Sequence, residues 1–297
     1  MRKKVYIILL TSLWLMGCGN LTKQITTRET ISNKKVQTSY YKDQLTENEL
    51  QAYVKIVEKA EQIDTEDIIL EDSISEYELA RLSEAIDAGR PDLFYLYAIG
   101  GVELGSVINP SDDKLIDEYR KSDKLSRIKI EYIWDSKEEI EVAINQLDKK
   151  VNAITQRVMT GENLIGAEKY LRNQVLETTK IDMEFIEKYG GEYRGNPDKR
   201  DFLSMKAYGA LVEQKASCGG YTSAYSLLLN EIGIESTGVV VLLNGGAHIC
   251  NIIKINDKYV VVDLANLTYS VFNKEFSELN SNAAKYELNS LFEHDLE

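Results

Sequence analysis

The run Ser217-Cys218-Gly219-Gly220-Tyr221-Thr222-Ser223-Ala224-Tyr225-Ser226-Leu227-Leu228-Leu229-Asn230-Glu231-Ile232-Gly233 decides how the rest of the sequence is read. Its apolar residues and closing glycine predict a helix that stops at Gly233. Cys218 then stands at the helix N-terminus, where unpaired backbone N–H groups and the positive end of the dipole favour a thiolate, the reactive form of cysteine. Gly219 and Gly220, lacking side chains, would let a substrate backbone come close to the sulfur. Alone, the pattern fits a buried inert thiol equally well. A base has to be found.

The chain has two histidines. His294 is the fourth residue from the end, where chain ends fray, which leaves His248. It opens Ile249-Cys250-Asn251-Ile252-Ile253-Lys254-Ile255, followed by Asn256-Asp257 and then Lys258-Tyr259-Val260-Val261-Val262-Asp263. This is the pattern of a β-hairpin. With Asn256-Asp257 as the turn, Ile255 faces Lys258 and Cys250 faces Asp263, so His248 is a diagonal neighbour of Asp263 on one sheet face. Moving the turn to Asp257-Lys258 keeps both on that face, whereas a one-residue change in loop length would not. Asp263 interrupts a strand that otherwise reads as buried, where a carboxylate without a partner is costly. Nucleophile, base and orienting carboxylate are the parts that activated-thiol chemistry requires.

In order and spacing these residues resemble the transglutaminase-like superfamily of papain-like cysteine enzymes. Its bacterial members carry Cys-x-Gly-Tyr before a helix, His-Ala-Trp-Asn at a strand start and Asp-x-Thr-Trp after the next strand. Here the corresponding residues are Cys218-Gly219-Gly220-Tyr221, His248-Ile249-Cys250-Asn251 and Asp263-Leu264-Ala265-Asn266. Upstream, Arg90-Pro91-Asp92-Leu93-Phe94-Tyr95-Leu96 is similar to an Asn-Pro-Glu-Leu-Phe-Tyr element that precedes such domains. The resemblance implies an α+β fold with a papain/transglutaminase-like core, in which the helix bearing Cys218 packs on an antiparallel sheet. It implies a triad of Cys218, His248 and Asp263 acting on amide bonds of a protein or peptide, with Gly219, Gly220, Tyr221, Cys250 and Asn251 near the substrate. The Cys218 N–H is the candidate oxyanion donor.

Two features keep alternatives open. Cys250 and Asn266 stand where these relatives have tryptophans, which is compatible with a non-catalytic binding or scaffold module that retains the fold. Cys250 also shares a strand face with His248, so a disulfide to Cys218 that blocks the nucleophile is a third reading, provided the Cα atoms lie within about 7 Å. Hydrolysis and acyl transfer to an amine are not separated.

The first seventeen residues read as a secretory leader, with Arg2, Lys3 and Lys4 ahead of the apolar stretch from Val5 to Met16. Leu15-Met16-Gly17-Cys18 resembles the bacterial lipobox, which implies lipidation of Cys18 and anchoring to the outer face of the cell membrane. Acyl chains contribute about 0.8 kcal/mol per buried methylene, enough for two or three to hold without a spanning helix. The full chain carries a net charge of −13, and loss of the leader removes three basic residues and no acidic one. Nucleic acid is therefore excluded as a partner. Three cysteines are too few for a disulfide framework. Neither histidine has a second histidine or a Cys-x-x-Cys nearby, and no Gly-rich phosphate loop is present, so no metal or cofactor is expected.

The polar residues 18–44 suit a flexible tether. Capping boxes at Thr46–Glu49, Ser75–Glu78 and Ser136–Glu139 predict helices over about 46–62, from 75 to Gly89, and from 136 to Gly161, the last with Ile140, Ile144, Leu147, Val151, Ile154 and Val158 on one face. Another helix is expected between Ala167 and Ile181, and strands at Asp92–Tyr97 and Arg127–Trp134. Residues 45–162 are thus expected to form a mainly helical lobe with a few strands, and 163–297 the transglutaminase-like domain.

Overall fold

The computed structural model describes residues 35–105, 113–158, 163–189, 198–255, 258–265, 271–274 and 286–292. The leader, Cys18, most of the tether, Gly161, the Asn256-Asp257 turn, Asn266 and His294 lie outside the described residues. The architecture is mixed helix and antiparallel sheet.

The first two helices begin where the sequence places them. At α1 (Glu47–Glu61) the Thr46 hydroxyl accepts from the Glu49 N–H while the Glu49 carboxylate accepts from the Thr46 N–H. After β1 (Ile68–Ile74), Ser75 and Glu78 repeat that exchange at α2 (Glu76–Gly89). Each such cap contributes about 1 kcal/mol.

The expected strand over Asp92–Tyr97 starts later. Pro91 fixes a 3-10 turn, Pro91–Leu93, and β2 is Leu96–Ile99, followed by β3 (Val102–Glu103) and α3 (Asp113–Lys121). The expected strand over Arg127–Trp134 is divided between two sheets. β4 (Leu125–Ile128) pairs with β1, and β5 (Ile130–Tyr132) pairs with β2. Helix α4 (Lys137–Thr155) buries Ile140, Leu147 and Val151, three of the apolar residues expected on its inner face. Helix α5 (Leu164–Thr178) starts before Ala167 because Asn163 caps it, accepting from the Gly166 N–H.

Downstream, β6 (Lys180–Ile181), α6 (Met183–Tyr189), a 3-10 segment at Lys199–Met205 and a π-helical turn at Gly209–Glu213 lead to β7 (Lys215–Ala216) and α7 (Cys218–Glu231). Against α7 lies a five-stranded sheet of β8 (Ser236–Leu243), β9 (Gly246–Ile255), β10 (Lys258–Asp263), β11 (Val271–Lys274) and β12 (Tyr286–Leu288), in the order β11-β10-β9-β8-β12 with every pair antiparallel. Ile255 pairs with Lys258 and Asn251 with Val262, which is the register the hairpin pattern requires. The Asn251 amide ties sheet to helix, donating to the Thr222 carbonyl and the Ser226 hydroxyl.

One hydrophobic cluster takes side chains from both halves of the chain, from Tyr41 through Leu147 and Tyr225 to Phe292. The expected boundary near residue 162 is therefore not a seam in the packing. A smaller cluster, Val239, Val241, Cys250, Ile252, Val261 and Tyr286, occupies the other side of the sheet.

Part of the stretch expected to be tether is folded. Residues 35–44 belong to the folded body: the Val36 N–H donates to the Asn230 carbonyl, Lys42–Gln44 form a 3-10 turn, and Tyr41, 1% exposed, donates its hydroxyl to the Gly238 carbonyl at 2.6 Å. Polar composition around two large tyrosines concealed this. No helix among the described residues is long and apolar enough to cross a membrane.

Candidate active site

The segment before Cys218 is held on two sides. The Ser217 N–H and hydroxyl both donate to the Ser204 carbonyl, and the Ala216 carbonyl accepts from the Asp182 N–H beside the parallel β6–β7 pair. Ser217 makes no side-chain cap to α7. The first N–H groups of that helix are thus left to act on whatever anion forms at the cysteine.

Three side chains predicted from sequence meet here. His248 Nε2 lies 2.8 Å from Asp263 Oδ2, and the imidazole also hydrogen-bonds the Cys218 thiol. With Nε2 on the carboxylate, Nδ1 is the nitrogen left for sulfur. His248 of β9 pairs with Val241 of β8, and Asp263 closes β10, so two strands deliver the imidazole and the carboxylate while a helix delivers the thiol. Cys218 is half-buried, and Asp263 is 1% exposed.

Burial alone would push the Cys218 thiol up. The hydrogen bond and charge of His248, with the Ile249 N–H, outweigh it and bring the thiol below its ordinary value. Burial likewise opposes the imidazolium, yet the bonds to Asp263 and Cys218 raise His248 to about 10. Both directions favour a thiolate–imidazolium pair near neutral pH.

Asp263 is itself held. Besides His248, its Oδ2 accepts from the Tyr286 hydroxyl at 2.8 Å, and Oδ1 accepts from the Ala265 N–H at 3.1 Å. Tyr286 was not foreseen. It comes from β12, a three-residue strand with too little alternation to be seen in the sequence.

The remaining site candidates serve the chain itself. A Cβ on Gly220 would lie 2.4 Å from the Ser204 carbonyl oxygen, and one on Gly219 would lie 3.1 Å from that of Met205. The glycines therefore admit this protein's own 3-10 segment to the helix, not a substrate backbone. Tyr221 is buried and donates to the Thr179 carbonyl at 2.7 Å. The Asn251 amide nitrogen is used on α7, and Cys250 is fully buried in the smaller sheet cluster, where burial pushes its thiol up. Cys218 and Cys250 are both free thiols. Among the described residues no group of three or more His, Cys, Asp or Glu side chains is placed to hold a metal ion.

No family model matches the chain, and no curated protein does. Among solved structures it is similar to a TGase, at 14% identity over 59% of this chain and 53% of that one, with a TM-score of 0.39. It is also similar to a proposed cysteine protease from Cytophaga hutchinsonii (13% identity, 41% and 38% covered, TM-score 0.28). A proposed protease from Parabacteroides distasonis is a third (12%, 58% and 36%, TM-score 0.25). The chain spans about half the length of the first of these and less of the other two.

Proposed function

We propose that the chain is a cysteine enzyme acting on amide bonds of extracellular protein or peptide, held at the outer face of the membrane by a lipid on Cys18. The observation that carries the catalytic part is the His248–Asp263 contact at 2.8 Å with the imidazole also bonded to Cys218. The thiolate of Cys218 attacks the amide carbonyl, forming a C–S bond, and the C–N bond then breaks as the imidazolium of His248 gives its proton to the leaving amine. Water or a second amine, deprotonated by the neutral imidazole, attacks the thioester and releases the thiol. Asp263 keeps the imidazole turned towards sulfur throughout. The Cys218 N–H and the helix end behind it are the donors available to the developing oxyanion.

The rate of Cys218 alkylation by iodoacetamide across pH 4 to 9 tests this reading. Reaction is expected to persist well below the free-thiol value of about 8.5 and to fall at least about tenfold at pH 6 in His248→Ala, one unit of thiol pKa being tenfold in thiolate. Reaction confined to alkaline pH and unchanged in that variant would leave a binding module. The anchor is tested separately. Radiolabelled palmitate should enter the wild-type chain and not Cys18→Ala, and labelling that survives the substitution removes the lipid from the proposal.

A further inference from the structure

We propose that Tyr286 is a positioning residue of the triad, carried across the sheet by the C-terminal segment to fix the carboxylate of Asp263 against His248. The inference rests on the catalytic reading of Cys218, His248 and Asp263 but concerns a residue outside it.

The strand order makes the contact unusual. β12 is the edge strand beside β8, and β9 stands between β8 and β10, so two strands separate Tyr286 from Asp263. The phenol nonetheless reaches the carboxylate, its hydroxyl donating to Oδ2 at 2.8 Å. Its ring lies in the cluster of Val239, Val241, Cys250, Ile252 and Val261. Cys250 is fully buried in the same cluster.

A tyrosine that only filled this cluster would have no need to end on the one carboxylate that holds the catalytic imidazole. At 1% exposure the carboxylate of Asp263 has little water to turn to, and each donor it accepts fixes its direction. Among the described residues the groups facing it include His248, Tyr286, the Ala265 N–H and, by charge, the thiols of Cys218 and Cys250.

The segment that carries Tyr286 is latched at its far end by α2. Arg81 donates to the Leu291 carbonyl at 2.6 Å and lies over the Phe292 ring, while Glu84 accepts from the Ser290 hydroxyl and from the Leu291 N–H. Backbone pairing of Tyr286, Glu287 and Leu288 with Leu243, Leu242 and Val241 holds the near end. Tyr286 therefore stands on a fixed base.

The test is the titration of His248 by NMR of the imidazole in the wild-type chain, Tyr286→Phe, Asp263→Asn and the double variant. The chain has only two histidines, and His294 is the internal control. Phenylalanine keeps the ring, and thermal unfolding checks that the fold is retained. Loss of the donor leaves a buried lone pair and frees the carboxylate to turn away from the imidazole, so the His248 midpoint should fall by about half a unit or more while His294 stays. In the Asp263→Asn background the same Tyr286→Phe substitution should move nothing. Cys218 alkylation at pH 6 should slow about tenfold in Tyr286→Phe, the scale of one hydrogen bond to a charged group.

An unchanged or raised His248 midpoint in Tyr286→Phe, or an equal shift in the Asp263→Asn background, overturns the proposal. Wild-type alkylation seen only at alkaline pH would instead overturn the catalytic reading, and the NMR cycle would still report whether Tyr286 acts on His248 through Asp263.

Discussion

His248 and Cys218 are moved in opposite directions by one another, and that sets the shape of any pH profile. Thiolate forms as pH rises through the lowered Cys218 value, and the imidazolium is lost as pH rises towards about 10. Alkylation needs only the thiolate, so its rate should show a single rising limb on the acid side. Amide turnover also needs the proton on His248 for the leaving amine, so it should show a second, falling limb near the His248 value. Steady-state kcat/KM on a peptide amide beside the iodoacetamide rate, over the same pH series, separates the two, and coincident profiles would mean that His248 is not the acid.

The three triad residues were legible because a nucleophile at a helix end, a histidine at a strand start and a carboxylate in an apolar strand are each anomalies of local pattern. Their neighbours were not. Gly219, Gly220 and Tyr221 look like site residues in sequence because they flank Cys218, yet what their environment holds is the carbonyls of Ser204 and Met205 and, for Tyr221, that of Thr179. Those groups are distant in sequence, and no local pattern announces them.

At the scale of elements, capped helices were read well and short strands poorly. A capping box is a contact between residues three apart, so Thr46–Glu49 and Ser75–Glu78 state their own geometry. Ser75→Ala should lower the free energy of urea unfolding by about 1 kcal/mol and leave Cys218 alkylation unaltered, since the α2 residues that bond towards the site, Arg81 and Glu84 in the C-terminal latch and Asp87 on Lys206, lie further along the helix than its cap. An equal loss of alkylation would show that α2 reaches the site by another route. β1 and β8 escaped notice although both are seven residues or longer. β8 is buried along most of its length, and a strand buried on both faces loses the alternation by which strands are recognised. The run Arg127–Trp134 did show alternation, but the pattern cannot tell that its two halves pair with different partners.

At the scale of the molecule, the distribution of polar residues hid that residues 35–44 belong to the folded body. Tyr41 packs edge-on against Phe292 with ring centroids 4.8 Å apart and bonds Gly238, so residues 35–44 rest on the five-stranded sheet and on the C-terminal segment together. A chain beginning at residue 45 should be less stable than one beginning at residue 35 by about 3–5 kcal/mol, the cost of removing a large buried aromatic side chain. Matched thermal and urea unfolding of the two would measure it, and equal stabilities would return residues 35–44 to the tether.

The meeting of Tyr41 and Arg81 with residues 238 and 291 also bears on when the molecule can assemble. These partners are 197 and 210 residues apart along the chain. Contacts of such separation require the largest loops to close, and loop closure is the slow part of folding. Helices α1 and α2 can form while the chain is still being made, but the last strand of the sheet and the latch that holds it wait for residues 286–292 to be added. The sulfur and the imidazole are therefore made before the carboxylate of Asp263 can meet the Tyr286 hydroxyl, and a nascent chain carries Cys218 in an unfinished setting until residue 286 has been added.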